Sequence, residues 1–434
     1  MFKRIFAFIV SIIMTFAVGS APIPEVTGMT VPADKKFTPV MRFVVSSDSH
    51  VKEFGDNGCQ RIIKMLETGY LAAKADAKHN KLDAAVLVGD ITDGGRPSSF
   101  CAIKACVDNT LRDDTDFMCV VAKNHDSYLG RISRSYASQI SGDPADFHKV
   151  INGYHFIGIS ASPTSLIHYT KKQIKWLDKE LQKAVAEDPE KPVFVFQHEH
   201  IAGTVYGSYS EDGWGVNNFT EVLSKYPQVV DISGHSHYPA NDPRAIWQDT
   251  FTAINDGGLN YYEFTVDGKN SQHPESSSNM AHMLLVEVDA RNRVKVRVCD
   301  LNAEAVMAEY MIDNITEPVK TKYSQEVRRS NAVAPVFKSA PKISVNGSDV
   351  SINVKPAVPG KDDVVFIYRL EVTDSTGKTV SSQKILGDYY KNPVCQNILF
   401  SVNNLESGKY NVSIVAESAW GVQSKPFTTV FTVA

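Results

Sequence analysis

An α/β domain followed by an all-β sandwich is the fold this 434-residue sequence predicts. Three observations predict it. Between residue 41 and the motif at 233–239, short apolar runs of strand length alternate with stretches whose apolar residues recur every three or four positions. Residues 313–334 are polar and charged, without a sustained apolar period, and read as a linker. From Pro335 onward only short alternating strands separated by turn residues remain, over roughly 100 residues, which is the spacing of a β-sandwich. A chain of this length also exceeds what one hydrophobic core organises, so two domains are expected, at 41–312 and 335–434.

Residues 1–20 read as an export signal. Lys3 and Arg4 precede an apolar stretch from Ile5 to Val18, and Gly19 and Ser20 offer a small-residue cleavage point. The run is shorter than the roughly 20 residues a membrane span needs, and Pro22 and Pro24 follow it. The expected product is secreted or extracytoplasmic, with no transmembrane span after cleavage. A net charge of -4 supplies no basic footprint, so no nucleic-acid polymer is expected as a partner. Six cysteines without a Cys-x-x-Cys pair argue against a thiolate zinc site and leave disulfides and buried thiols both open.

In order along the first domain, Met41–Val45 reads as a strand ending in Ser46-Ser47-Asp48. Residues 59–79 carry Ile62, Ile63, Leu66, Tyr70 and Leu71 at helical spacing. Ala84–Val88 is a buried-strand run stopped by Gly89-Asp90, and a helix near 98–111 leads to a strand over Phe117–Ala122. Tyr154–Ile159 is a further strand. Thr170 and Gln173 form a capping box for a helix through about Val185. Pro192 opens the strand Val193–Phe196, which runs on to His198. A last helix and strand lead into "SGHSHYP" at 233–239. In the second domain the strands fall at Lys342–Val345, Val350–Val354, Val364–Val372, Ile398–Val402, Tyr410–Ala416 and Phe427–Val433. The stretch 405–421 resembles the late strands of fibronectin type III and related immunoglobulin-like domains, with Tyr410 as the corner tyrosine.

The unusual polar residues of the first domain follow its strands. Asp48 and His50 follow the first, Asp90 and Asp93 the second, and Asn124, His125 and Asp126 the third. His198 and His200 end the run "VFVFQHEH", and His235 and His237 end "VVDISGHSH". In open α/β sheets ligands bind at the carboxyl ends of strands. Any one of these residues is ordinary in a turn; five strands delivering Asp, Asn and His to one edge form a constellation. Imidazole, carboxylate and amide oxygen without thiolate suit borderline divalent ions such as Mn, Fe, Zn or Co.

Asp48-x-His50, Gly89-Asp90-x-x-Asp93, Asn124-His125-Asp126, His198 and Gly234-His235-x-His237, in that order, resemble the calcineurin-like metallophosphoesterases over about residues 41–300. The resemblance implies a four-layer α/β/β/α sandwich holding two divalent metal ions between its sheets. Asp48, His50 and His237 would bind one ion, Asn124, His198 and His235 the other, and Asp90 would bridge both. It implies hydrolysis of a phosphoester by a metal-bridging hydroxide, the two ions clamping the phosphoryl oxygens. His125 would be the proton donor to the leaving group, and Asp93 the carboxylate that orients it. The substrate expected is a small soluble phosphodi- or monoester.

Three further positions depart from the family pattern or frame the pocket. Lys123 stands where the family has glycine, either in ordinary backbone geometry or with its ammonium near the phosphate. His200 stands where many relatives have proline, and could contact substrate, replace His198 or do neither. The stretch 203–215 could rim the pocket, with Tyr206 or Trp214 stacking on a base or sugar, or be a packed surface loop. Asp93 occupies the position where purple acid phosphatases carry a tyrosine ligand, which argues against a tyrosinate-bound ferric site. No His-Glu-x-x-His, Gly-x-Ser-x-Gly or P-loop motif appears. The alternative to an enzyme is a surface adhesion module, binding glycan or protein through the C-terminal sandwich, with a structural metal site.

Overall fold

The computed structural model describes residues 26–127, 132–162, 168–209, 214–216, 219–265, 271–274, 277–318 and 322–434. The segment read as an export signal lies outside them. The described residues divide into two compact units, one reaching residue 321 except for 241–244, the other comprising 241–244 and 322–434.

Two-residue strands and single turns aside, the first unit contains β1 (Pro39–Ser46), α1 (Asn57–Lys74), β2 (Ala84–Val88), α2 (Pro97–Thr110), β3 (Asp116–Val120) and α3 (Ile132–Ser141). There follow β4 (Asp146–Ile151), β5 (Tyr154–Ile159), α4 (Lys171–Glu187), β6 (Val193–Phe196), α5 (Thr220–Leu223) and β7 (Val229–Ser233). The last strands are β8 (Ile246–Gln248), β9 (Thr252–Asn255), β10 (His282–Asp289), β11 (Val294–Asp300) and β12 (Ala305–Ile312). They build two six-stranded sheets, β12-β11-β10-β1-β2-β3 and β8-β9-β7-β6-β5-β4. Parallel β1, β2 and β3 lie in one sheet, and parallel β5, β6, β7 and β9 in the other.

Side-chain alternation sets the layers. Phe43 of β1 meets Phe156 of β5 and Phe194 and Phe196 of β6, with ring centroids 4.8–6.2 Å apart, so these residues fill the space between the sheets. Their neighbours face outward: Val44 joins the core under α1, α2 and α3, while Val193 and Val195 join the one under α4 and α5. The result is the helix–sheet–sheet–helix order that the resemblance implies. His198 shares the parity of Phe194 and Phe196 and is therefore delivered to the inter-sheet space.

The helix starts are legible in the residues. Asp56 caps α1 by accepting from Cys59 N, and Thr170 and Gln173 make the capping box of α4. Helix α1 ends at Lys74 rather than 79 because Asp76 turns away, accepting from Lys78 N and pairing at 2.7 Å with the buried Arg42 guanidinium. Helix α3, strand β4 and strands β8 to β12 were not foreseen; α3 is serine-rich and buries only Ser133, Tyr136, Ala137 and Ile140. The six cysteines are free thiols, five of them buried. Among the described residues no helix is long and apolar enough to cross a membrane.

The second unit holds α6 (Gln325–Asn331), capped by Ser324, so part of the expected linker is helical. Its strands are β13 (Lys342–Asn346), β14 (Asp349–Val354), β15 (Val365–Thr373), β16 (Thr379–Leu386), β17 (Ile398–Val402), β18 (Gly408–Ser418) and β19 (Phe427–Val433). They form sheets β13-β14-β17 and β16-β15-β18-β19. Tyr410 donates its hydroxyl to Glu406 O at 2.8 Å, as a corner tyrosine does. Strand β16 escaped the sequence reading because "TVSSQKIL" is an edge strand without a buried residue.

One buried acid ties this fold to pH. Asp231 of β7 is fully buried, and Gln197 Nε2 donates to it at 3.3–3.4 Å. Burial pushes its carboxyl from 3.8 up to about 8. Between those values the folded chain holds a proton that the unfolded chain has released. Stability from this group is therefore complete below about pH 4 and is lost as pH rises towards 8, by an amount on the order of a few kcal/mol. Asp231→Asn is expected to remove that slope and to melt above the wild type at pH 8. Parallel urea-unfolding profiles for the two proteins from pH 4 to 8 would refute this.

Candidate metal centre

The candidate site is made by loops that leave the carboxyl ends of β1, β2, β3, β6 and β7. Asp48, His50, Asp90, His235 and His237 have φ of 51°, 46°, 45°, 72° and 55°, a left-handed conformation that L side chains rarely adopt. Five such residues together mark a site whose surroundings impose the strain. The loops impose it on one another. Asp48 N donates to Gly89 O at 3.0 Å, His50 N to Asp90 O at 3.1 Å, and Gly234 N to His198 O at 3.0 Å. Two glycines permit the approach. A Cβ on Gly89, φ +82°, would stand 2.6 Å from the His198 ring, and one on Gly234 would stand 2.5 Å from Asp48 Oδ2.

The side chains converge in three groups, the third sharing a residue with each of the others. Asp48, His50 and His237 present ligand atoms to one point, and Asp90, His198 and His235 to another, while His50, Asp90 and His125 form a third set between. His237 Nε2 lies 3.2 Å from Asp48 Oδ1 and 3.1 Å from His50 Nε2; His198 Nε2 lies 3.1 Å from Asp90 Oδ2. The far nitrogens are fixed by main-chain carbonyls. His198 Nδ1–H donates to Val88 O at 2.8 Å and His237 Nδ1–H to Tyr261 O at 3.0 Å, which turns each Nε2 inward.

Charge and unmet valence agree on what fits there. Burial would raise the Asp48 carboxyl, yet His237 and His198 outweigh it and hold it well below the usual range. Burial would lower His198, yet Asp90 and Asp48 hold it well above its ordinary value. Burial, with the neighbouring imidazoles, brings His50 and His235 down to about 4. Asp48 Oδ1, Asp90 Oδ1, Asn124 Oδ1, His198 Nε2 and His235 Nδ1 are buried and make no hydrogen bond. Orphaned acceptors at this density are costly unless cations complete them. The donor set of imidazole, carboxylate and one amide oxygen fits divalent ions.

The structure brings together six of the seven residues read as ligands, Asp48, His50, Asp90, His198, His235 and His237, leaves Asn124 Oδ1 buried without a hydrogen bond, and places His125 edge-on to His50 at 4.5 Å. One expectation changes, that for Asp93, and three positions left open, His200, Tyr206 and Lys123, find their surroundings. Asp93 does not orient His125 through its carboxylate: the Nδ1–H donates to the Asp93 main-chain O at 3.0 Å, while the carboxylate lies 4.0 Å off, 42% exposed and nearer His50 and Lys52. His200 is not at the pocket surface. It is buried, its Nδ1 and Nε2 bonded to the hydroxyls of Ser233 and Ser236 at 2.9 and 2.7 Å, so it braces the loop that carries His235 and His237. Tyr206 is buried against Tyr238, whereas Trp214 meets His235 edge-on at 4.8 Å. Lys123 is not among the positive-φ residues, so its backbone does not require the glycine of relatives.

Sequence reasoning missed the segment after β9. Ser47 Oγ reaches Asp48 Oδ2 and also Asp256 Oδ1 at 2.6 Å. Burial, with Asp48 nearby, pushes Asp256 well above the usual range, so its carboxyl proton serves Ser47 and the Ser47 proton serves Asp48. The signal was present: Asp256-Gly257-Gly258 directly follows a strand, like the other site loops.

Comparison with known proteins accords with this geometry. Residues 41–239 match the family model of the calcineurin-like phosphoesterases. Among solved structures, a purple acid phosphatase from yellow lupin (Lupinus luteus) seeds is 13% identical with a TM-score of 0.41, over 65% of this chain and 55% of that one. This chain thus spans about half the length of the lupin protein. GAP50, the anchor in the inner membrane complex of Plasmodium, is 14% identical with a TM-score of 0.39, over 64% of this chain and 89% of that one. The sixth fibronectin type III domain of a human protein is 17% identical with a TM-score of 0.17, over 24% of this chain and 89% of that domain. No curated protein matches by sequence.

Proposed function

We infer that this chain, whose residues 41–239 belong to the calcineurin-like phosphoesterase family, is an exported dinuclear-metal phosphoesterase acting on a small soluble phosphodi- or monoester. The observation that carries the reading is the set of five buried, unbonded ligand atoms drawn from Asp48, Asp90, Asn124, His198 and His235. Asp48, His50 and His237 would hold one divalent ion, Asn124, His198 and His235 the other, and Asp90 both. Bound there, two such ions supply charge against the phosphoryl oxygens and lower the pKa of the attacking water.

The chain's own residues supply the rest. The Val88 and Tyr261 carbonyls fix the tautomers of His198 and His237, which keeps both Nε2 atoms aimed inward. His125, partly exposed and held through Nδ1 by the Asp93 carbonyl, stands at the edge of the centre, where it would protonate the leaving oxygen as the ester bond breaks. Trp214 closes the His235 side of the centre. The charged, apolar and small-residue order of the segment 1–20 supports export, and the C-terminal sandwich would serve surface contact with a glycan or protein.

The test is the initial rate of the Mn-loaded mature chain on bis-p-nitrophenyl phosphate and p-nitrophenyl phosphate side by side, with Asp90→Ala as blank. Diester turnover well above monoester turnover identifies a phosphodiesterase, and the reverse a phosphatase. No rate above the blank with Mn, Zn, Fe or Co would end the hydrolase reading.

A further inference from the structure

We propose that Tyr261 contacts the substrate, its phenol donating a hydrogen bond to the phosphoester bound over the His50–His237 half of the centre. The inference rests on the phosphoesterase reading and extends it to a residue beyond the segment 41–239 that matches the family.

The Tyr261 ring stacks on His237 at 4.0 Å and 17°, and lies 5.8 Å from His50. His125 meets His50 edge-on at 4.5 Å, so Tyr261 and His125 both border the same histidine. The segment is held tightly. Tyr261 O accepts from His237 Nδ1 at 3.0 Å, Leu259 N donates to Ser47 O at 3.0 Å, and Glu263 N donates to His237 O at 3.0 Å. Gly258 has φ +117°, and a Cβ there would come 3.1 Å from Asp48 Cβ, so the loop can follow the centre this closely only with glycine. Outside, His273 lies 5.3 Å from the ring.

A ring so placed has few rotamers left. Its hydroxyl nevertheless makes no hydrogen bond among the described residues, and the side chain is only partly buried. If packing on His237 were its whole purpose, phenylalanine would do as well. A fixed, unpaired O–H donor beside the ion ligands suits an anionic oxygen of the substrate.

The experiment compares the metal-loaded wild type with Tyr261→Phe and Tyr261→Ala. It reads ions per chain, kcat/KM on the better nitrophenyl ester, and calorimetric binding of inorganic phosphate. Tyr261→Phe is expected to keep its ions and to lose about 10- to 100-fold in kcat/KM and about tenfold in phosphate affinity, the scale of one hydrogen bond to a charged group. Unchanged kinetics and phosphate binding in Tyr261→Phe would overturn the contact. Loss of ions from Tyr261→Phe would overturn it too, and make the residue a brace for His237. A wild type that turns over neither ester but binds phosphate more tightly than Tyr261→Phe would sink the hydrolase reading and keep the contact. A wild type that does neither sinks both.

Discussion

Asp90→Ala is expected to lower kcat by at least about 10³-fold and to release one or both ions on dialysis. Asp90 belongs to two of the three converging groups. It converges with His198 and His235 on one side and with His50 and His125 on the other, and its Oδ2 lies 3.1 Å from His198 Nε2. Its loop pays for a left-handed backbone at φ 45° to aim it there. If two ions bind as proposed, removing the carboxylate would delete the negative charge between them, and their repulsion would act across a buried, poorly screened space. Asp90→Asn separates charge from shape: it keeps an oxygen in place, so partial ion retention with a smaller rate loss is expected. Elemental analysis of dialysed protein gives the ion count, and near-ultraviolet circular dichroism checks that the fold survives. Asp90→Ala holding two ions per chain with more than a tenth of wild-type activity would defeat the bridging assignment.

The candidate ligands were legible because each follows a strand. Once Ala84–Val88 or Val193–Phe196 reads as a strand, the polar residue at its end has a fixed edge of the sheet to occupy. The strands themselves were legible because buried parallel strands are continuous apolar runs. What stayed hidden was whatever depends on a partner distant in the chain. His200 stayed open between contacting substrate, replacing His198 and doing neither, because nothing local shows that Ser233 and Ser236 will take both its nitrogens. Asp93 looked like the orienter of His125 because a sequence displays carboxylates and not main-chain carbonyls. Tyr261 and Asp256 went unread because no motif marks them; only the pairing of β9 beside β7 carries the loop after it to the centre. Strand β16 and helix α3 lacked the apolar rhythm on which the remainder of the reading relied.

His125→Ala is expected to cost about 10²- to 10³-fold in kcat on an alkyl phosphoester and far less on a p-nitrophenyl ester. An alkoxide leaves slowly unless protonated as the bond breaks, whereas p-nitrophenolate leaves without help. The ratio of the two losses therefore reports proton donation, which a purely structural histidine would not produce. Geometry supports the role: the ring is 29% exposed at the edge of the centre, and its Nδ1–H donates to the Asp93 carbonyl. Because that anchor is main chain, Asp93→Ala should keep it and cost less than about tenfold on either ester. A rate loss for Asp93→Ala matching that of His125→Ala would restore the carboxylate as the orienting group. Equal losses for His125→Ala on both esters would remove it as the acid and leave protonation of the leaving oxygen to solvent. The two variants together thus separate the residue that moves the proton from the one that merely lends it a carbonyl.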